Sequence, residues 1–175
     1  LLIVSWQTLH HDSRLMDENL APDIVILVDA PQLISSGSIF LEAVLTLRER
    51  FPAALLWTPG IAGPDNAALL SWFGVDLFDS ARSRSAAATG FRLTMNGPRP
   101  MDEDENSQIW IQDWDDSLRF IRSSIRNGNL RELVENQALN SARSVQHLRR
   151  HDSLMREGNP PLARHVSEGR RFRFN

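Results

Sequence analysis

Asp79 is the residue of this chain best placed to do chemistry. It closes a short strand-like segment, Val75 to Phe78, which Gly74 separates from a helical stretch before it. A carboxylate carried at the C-terminal end of a strand in a β/α unit sits on the edge where such folds bind ligands. There it could attack an electrophilic carbon or stabilise developing positive charge. A carboxylate in that place can equally be a structural acceptor, so both readings stand. Arg82 and Arg84 follow at loop spacing and could grip phosphates through paired N–H contacts, or lie solvated. Arg149, Arg150, Arg170, Arg171 and Arg173 could form a second phosphate patch, with His147, His151 and His165 nearby. They could instead pair with the acidic stretch from Met101 to Asp116, within the chain or across a dimer.

The elements that must position Asp79 are legible around it. Ala54 to Thr58 is a short apolar strand that stops at Pro59-Gly60. Gly60, Gly63 and Pro64 make a tight turn, and Asp65 or Asn66 can cap a helix over Asn66–Phe73. Gly74 ends that helix and Val75–Phe78 starts the next strand. Upstream, Leu1–Trp6 and Asp23–Ala30 read as buried strands. Ser13–Leu20 reads as a short helix. Ile39–Phe51 is an amphipathic helix with Phe40, Leu41, Val44, Leu45 and Leu47 in one stripe and Glu42, Arg48, Glu49 and Arg50 facing water. Four strands alternating with helices predict a parallel α/β sheet.

After Asp79 the alternation stops. Phe91–Thr94 is a possible short strand before a turn at Asn96-Gly97-Pro98. Met101–Asp116 holds seven carboxylates and no basic residue, with Trp110 and Trp114 at helical spacing as packing anchors rather than base-stacking platforms. Helical patterning begins at Ser117, breaks at Asn127-Gly128-Asn129, and resumes over Leu130–Leu139 and Ser141–Met155. Gly158-Asn159-Pro160-Pro161 is a breaker, and Arg170–Asn175 alternates like a strand. The division expected is an α/β unit over 1–97, an acidic connector over 98–116, and a helical, Arg-rich part over 117–175.

Composition narrows the classes. The 175 residues are 42% hydrophobic and 23% charged, which suits one globular domain with a real core. No apolar run nears the roughly 20 residues of a membrane span. With no cysteine there is no disulfide and no thiolate metal site, and cytoplasm is the default compartment. The chain opens on Leu1 rather than Met, so it is expected to be a piece or a processed form of a longer protein. All 19 basic residues are arginine. Their distribution is uneven: residues 1–117 carry 7 Arg against 17 Asp and Glu, whereas 118–175 carry 12 Arg against 5. An acidic body joined to a basic tail points to a polyanion or an acidic partner surface.

The segment Ala54–Ser80, ALLWTPGIAGPDNAALLSWFGVDLFDS, resembles the tRNA-guanine transglycosylases, through Gly74-Val75-Asp76-Leu77-Phe78-Asp79 above all. It is more similar to the archaeal branch, including the transglycosylase-like region of archaeosine synthases. The phrase from Ser124 to Glu135, SIRNGNLRELVE, extends the likeness, which covers roughly 23–97 and 117–155. The resemblance implies the second half of a (β/α) barrel of TIM type, a partial barrel-like parallel sheet followed by a helical C-terminal part. It implies a place in 7-deazaguanine (archaeosine or queuosine) tRNA modification, with tRNA as partner. It makes Asp79 the counterpart of the nucleophile that attacks the ribose C1′ as guanine leaves. Asp76 is expected as a strand-end or helix-contact residue.

The chain departs from the family pattern in two places. The family's zinc, held by three cysteines and a histidine, has no thiolates here, and hard carboxylates do not replace them. The expectation is therefore no cofactor and no metal, with His147 and His151 as solvated helix residues rather than half a site. The second aspartate and the base-reading glycine loop are also absent. Three functions remain open: a degenerate scaffold, dimerisation or tRNA-contact region; an active transglycosylase; or a plain α/β interaction domain. A half-barrel exposes two sheet edges, which a partner, a second copy or a different closure must cover. A small open α/β sheet is the alternative.

Overall fold

The computed structural model describes residues 1–17, 19–106 and 108–156. Arg170, Arg171, Arg173, His165, the breaker at Gly158 and the alternating end lie outside the described residues.

Three parallel strands, β1 (Leu2–Val4), β2 (Ile24–Leu27) and β3 (Leu55–Trp57), form a sheet in that order. Leu2, Ile3 and Val4 pair with Val25, Ile26 and Leu27, and Val25 and Ile26 pair with Leu56 and Trp57. The fourth expected strand is reduced to a single parallel bridge between Trp57 and Leu77. The reason is local: both Asp76 and Leu77 donate their amides to the Leu56 carbonyl, and Val75 donates back to Leu70. The chain thus hugs β3 for one residue without running beside it. The result is a mixed α/β fold with a parallel sheet and a helical C-terminal part, and the described residues form no closed barrel.

The connections are helices. α1 (Trp6–His11) forms where no helix is expected, and only a 3₁₀ turn over Ser13–Met16 stands where a helix over Ser13–Leu20 is expected. Ser5 explains the early start: its hydroxyl accepts from the Thr8 amide while the Thr8 hydroxyl accepts from the Ser5 amide, a reciprocal cap. α2 (Ala30–Leu33) and α3 (Gly37–Arg50) follow β2, and α4 (Ala67–Phe73) follows β3. α4 ends at Gly74, whose φ of 110° only glycine adopts cheaply. Ser80 to Ala88 forms a helix, α5 (Ala81–Ala88), where no element was expected. β4 (Phe91–Thr94) and β5 (Gly97–Pro100) make an antiparallel hairpin. α6 (Trp110–Asn127) begins seven residues before Ser117, inside the acidic stretch. Trp114 draws it in, buried and stacked on Phe78 at 6.1 Å. α7 (Leu130–Ala138) and α8 (Ala142–Arg156) complete the order.

Among the described residues, one face of the sheet packs against the core and the other does not. Val4, Val25, Leu27 and Leu56 share a core with Phe40, Leu41, Val44 and Leu47 of α3 and Leu70 and Phe73 of α4. α4 in turn packs on α6 and α7, and α8 packs on α3 and α7. Pairing register places Ile3, Ile24, Ile26, Val28, Leu55 and Trp57 on the opposite face, since side chains alternate along a strand. None of these six joins the core, and Ile3 and Val28 stand 61% and 46% exposed.

Arg48 and Arg50 correct the expected polar stripe of α3. Glu42 and Glu49 face water, but Arg48 is buried and Arg50 is half-buried. Arg48 donates to the Ala54 carbonyl at 2.7 Å, to the Gly74 carbonyl from Nε at 2.7 Å, and to the Asp76 carboxylate. Its long stem lets a nominally outer position reach two backbone carbonyls and one carboxylate. Arg50 donates to the Leu15 and Asp17 carbonyls and holds the first connection down.

Candidate functional site at the C-terminal edge of the sheet

Asp79 is half-buried beyond β3, and both of its oxygens are engaged. Oδ2 accepts from the Gly60 amide at 2.8 Å and from Trp57 Nε1 at 3.2 Å; Oδ1 accepts from the Ala81 amide at 2.9 Å. The carboxylate therefore ties the end of β3, the turn at Gly60 and the first turn of α5 together. Gly60 can present its amide there because it sits at φ 77°. Asp76, its neighbour in the motif, holds the middle of β3: its Oδ2 accepts from the Leu56 amide at 2.9 Å and from Arg48 of α3. Of the strand-end or helix contact expected for Asp76, the helix contact is present, through Arg48.

The glycine turn works by side-chain closure rather than by helix capping. Asn66 Oδ1 accepts from the Gly63 amide and its Nδ2 donates to the Ile61 carbonyl, at 2.8 and 3.0 Å, so neither oxygen nor nitrogen serves the helix amides. Asp65 is taken by Arg82 in a bidentate pair, both contacts 2.6 Å. That pair crowds Gly63: a Cβ there would lie 2.5 Å from Asp65 Oδ1 and 2.6 Å from an Arg82 nitrogen.

The sequence-derived arginines are dispersed. Arg82 and Arg84 lie on a helix, α5, not in a loop, and only Arg84 is fully exposed. Arg149 and Arg150 are exposed on α8. The acidic stretch pairs mainly with the hairpin: Arg92 bonds Asp113 and Glu105, and Arg99 bonds Glu105 and Asp102. These pairs hold Glu105 below the usual carboxylate range, with the Asp102 amide as the largest cause and Arg99 and Arg92 adding to it. His147 and His151 are not solvated, contrary to expectation; both are buried. His147 faces Gly37 of α3, and burial, reinforced by Arg143, lowers its pKa. His151 stacks on Phe73 at 5.0 Å. The α7–α8 pairing turns them inward, held by Arg131 bidentate on Asp152 at 2.7 Å.

Two features escaped sequence reading. Asp29, at the end of β2, accepts the Trp6 amide at 2.8 Å through Oδ2, while its Oδ1 is buried without a partner. Its place after a hydrophobic strand, like that of Asp79, was the available signal. The second feature is a cleft of about 360 Å³ where the β2 and β3 loops meet the hairpin turn, α7 and α8. Gly60, Asp65 and Arg82 border it on one side, and Gln137, Arg143 and His147 on the other. Only the folded chain assembles that border. Among the described residues no group of three or more His, Asp or Glu side chains is arranged to hold a metal ion.

Fold and site together define a parallel α/β unit with acidic strand ends and loops gathered at one sheet edge. No family model matches the chain. It is similar to archaeosine synthase subunit alpha of Methanosarcina acetivorans, at 29% identity over 66% of this chain and 23% of that protein. It is 27% identical to the same subunit of Thermoplasma acidophilum over 75% of this chain and 26% of that protein. The archaeosine synthase of Methanocaldococcus jannaschii is also 27% identical, over 81% of this chain and 25% of its own length. The likeness expected from Ala54–Ser80 is thus found in curated proteins, consistent with a transglycosylase-like relationship. The chain matches about a quarter of the length of each of these relatives.

Proposed function

We propose that this chain is a transglycosylase-like region of an archaeosine-type tRNA modification protein, serving as scaffold and tRNA contact rather than carrying the base exchange itself. The observation that carries this reading is the engagement of both Asp79 oxygens by groups of the fold. Three N–H donors within the fold already hold its two oxygens. A nucleophile needs a lone pair aimed at substrate, whereas this carboxylate is a hub between β3, its loop and α5. Likeness to archaeosine synthases supports the pathway, and tRNA is the polyanion that the basic C-terminal part would meet. Arg84, Arg149 and Arg150 are the exposed candidates among the described residues for contact with its phosphates, while Arg82 is committed to Asp65. No metal takes part in this reading.

The uncovered sheet face belongs to the same reading. Ile3, Ile26, Val28 and Trp57 would be covered by further strands of a barrel, from more of the same protein or from a second copy. No described helix is long and apolar enough to cross a membrane.

The deciding experiment is exchange of labelled guanine into tRNA by wild type and Asp79→Asn. The scaffold reading expects no exchange by either, with tRNA retained at low salt and released as salt rises. Exchange by wild type that the substitution abolishes would establish the enzyme reading instead. Failure to bind tRNA at low salt would leave a plain interaction domain.

A further inference from the structure

Gln137 is 5% exposed, lines the cleft between α7, α8 and the β-loop edge, and has no hydrogen-bond partner at either Nε2 or Oε1. A primary amide left unsatisfied at both ends is rare in a native fold, because its desolvation is not repaid. Its surroundings have the remaining parts of a ligand site. Leu70 and Phe73 give an apolar wall. Ser141, Arg143 and Ser144 stand where the 15-residue α8 begins, so two hydroxyls and a guanidinium share one rim, with the Ser144 amide donating to the Ser141 hydroxyl at 3.4 Å. A helix start with an arginine suits an anion. An amide offering one donor and one acceptor in a plane suits the edge of a purine.

We infer that this cleft binds a single purine nucleotide unit, with Gln137 turning its amide onto the base edge and Arg143 with the start of α8 holding the phosphate. The cleft's volume, about 360 Å³, falls within the range of small-molecule sites. His147, at the cleft's inner end, stays neutral near pH 7 because burial and Arg143 both lower its pKa, so the anion is held by Arg143. The unit could be a free mononucleotide or a nucleotide of an RNA strand; both present the same base edge and phosphate. The inference does not depend on the tRNA reading, since a free nucleotide would satisfy it.

The test is calorimetric titration of the full chain with AMP, GMP, inorganic phosphate and tRNA. Wild type is expected to bind at least one of the two nucleotides more tightly than phosphate. Gln137→Leu should weaken nucleotide binding roughly tenfold, leave phosphate binding unchanged, and unfold at the same or a higher temperature. Arg143→Gln, a change at an exposed position, should weaken nucleotide and phosphate alike. Binding of AMP or GMP without tRNA would place the site on a free nucleotide; added competition by tRNA would place it on a strand. The inference is overturned if wild type binds neither nucleotide at millimolar concentration, if Gln137→Leu binds as wild type does, or if Gln137→Leu melts lower, which would mean the amide is satisfied inside the protein.

Discussion

Asp79 keeps its place in the motif, and its carboxylate accepts from the Gly60 and Ala81 amides and the Trp57 indole. Replacing it with asparagine keeps the volume but turns an NH2 toward a backbone or indole donor. Unfolding in urea should show a loss of about 1–3 kcal/mol, the usual cost of leaving a buried group unpaired. A nucleophile with free lone pairs would be replaced at little cost. Gly74 makes a similar point about backbone. An alanine there would be strained at φ 110° and would meet Arg48 Nε at 3.0 Å. Gly74→Ala should therefore destabilise by at least about 1 kcal/mol, measured the same way, and Arg48→Met should reduce that penalty.

Elements are joined here largely by arginine. Arg92 links the β4–β5 hairpin to α6 through Asp113, and both side chains are mostly buried, at 17% and 9% exposed. Arg92→Ala should cost about 3 kcal/mol, because Asp113 would keep its charge without its partner; Arg92→Met with Asp113→Leu should recover much of it. Arg131 joins α7 to α8 through Asp152, and this hydrogen-bonded partner is the main cause of the lowered Asp152 pKa. A carboxyl whose folded pKa lies below its unfolded value of about 3.9 binds fewer protons when folded. Its contribution is therefore complete above that pH and is lost as pH falls through the folded value. Asp152→Asn should flatten the acid limb of a stability profile below pH about 4 and leave its shape near neutrality unchanged.

At the scale of the whole molecule, the exposed sheet face is the feature that most constrains how the chain exists. Ile3, Ile26, Val28 and Trp57 lie outside the core on one face, with Ile3 and Val28 exposed and Ile26 and Trp57 half-buried; contiguous exposed apolar surface favours association. The chain by itself should self-associate at micromolar concentration in sedimentation experiments. Val28→Lys, which introduces a charge at a position already 46% exposed, should reduce association without lowering the unfolding midpoint.

Sequence by itself determined the order of elements wherever a local cause sufficed. Alternation of apolar runs with turn signals placed β1, β2, β3, α3 and α4, and Gly74 and Gly128 ended their helices through a left-handed residue that needs no partner elsewhere. Where one element decides another, local pattern was silent. α5 forms on a Ser- and Arg-rich stretch because Asp79 and Asp65 hold its first turn. α6 starts early because Phe78 receives Trp114. His147, His151 and Arg48 are polar in any one-dimensional reading and are buried only because α3, α4, α7 and α8 converge on them. The fourth strand failed for the same reason: the Leu56 carbonyl captures two successive amides. The cleft has no local signal at all, since its border draws on residues from Pro31 to His147. Periodicity and capping act within a few residues, whereas burial and hydrogen-bond closure are settled by partners far away in the chain, and those partners meet only in the folded molecule.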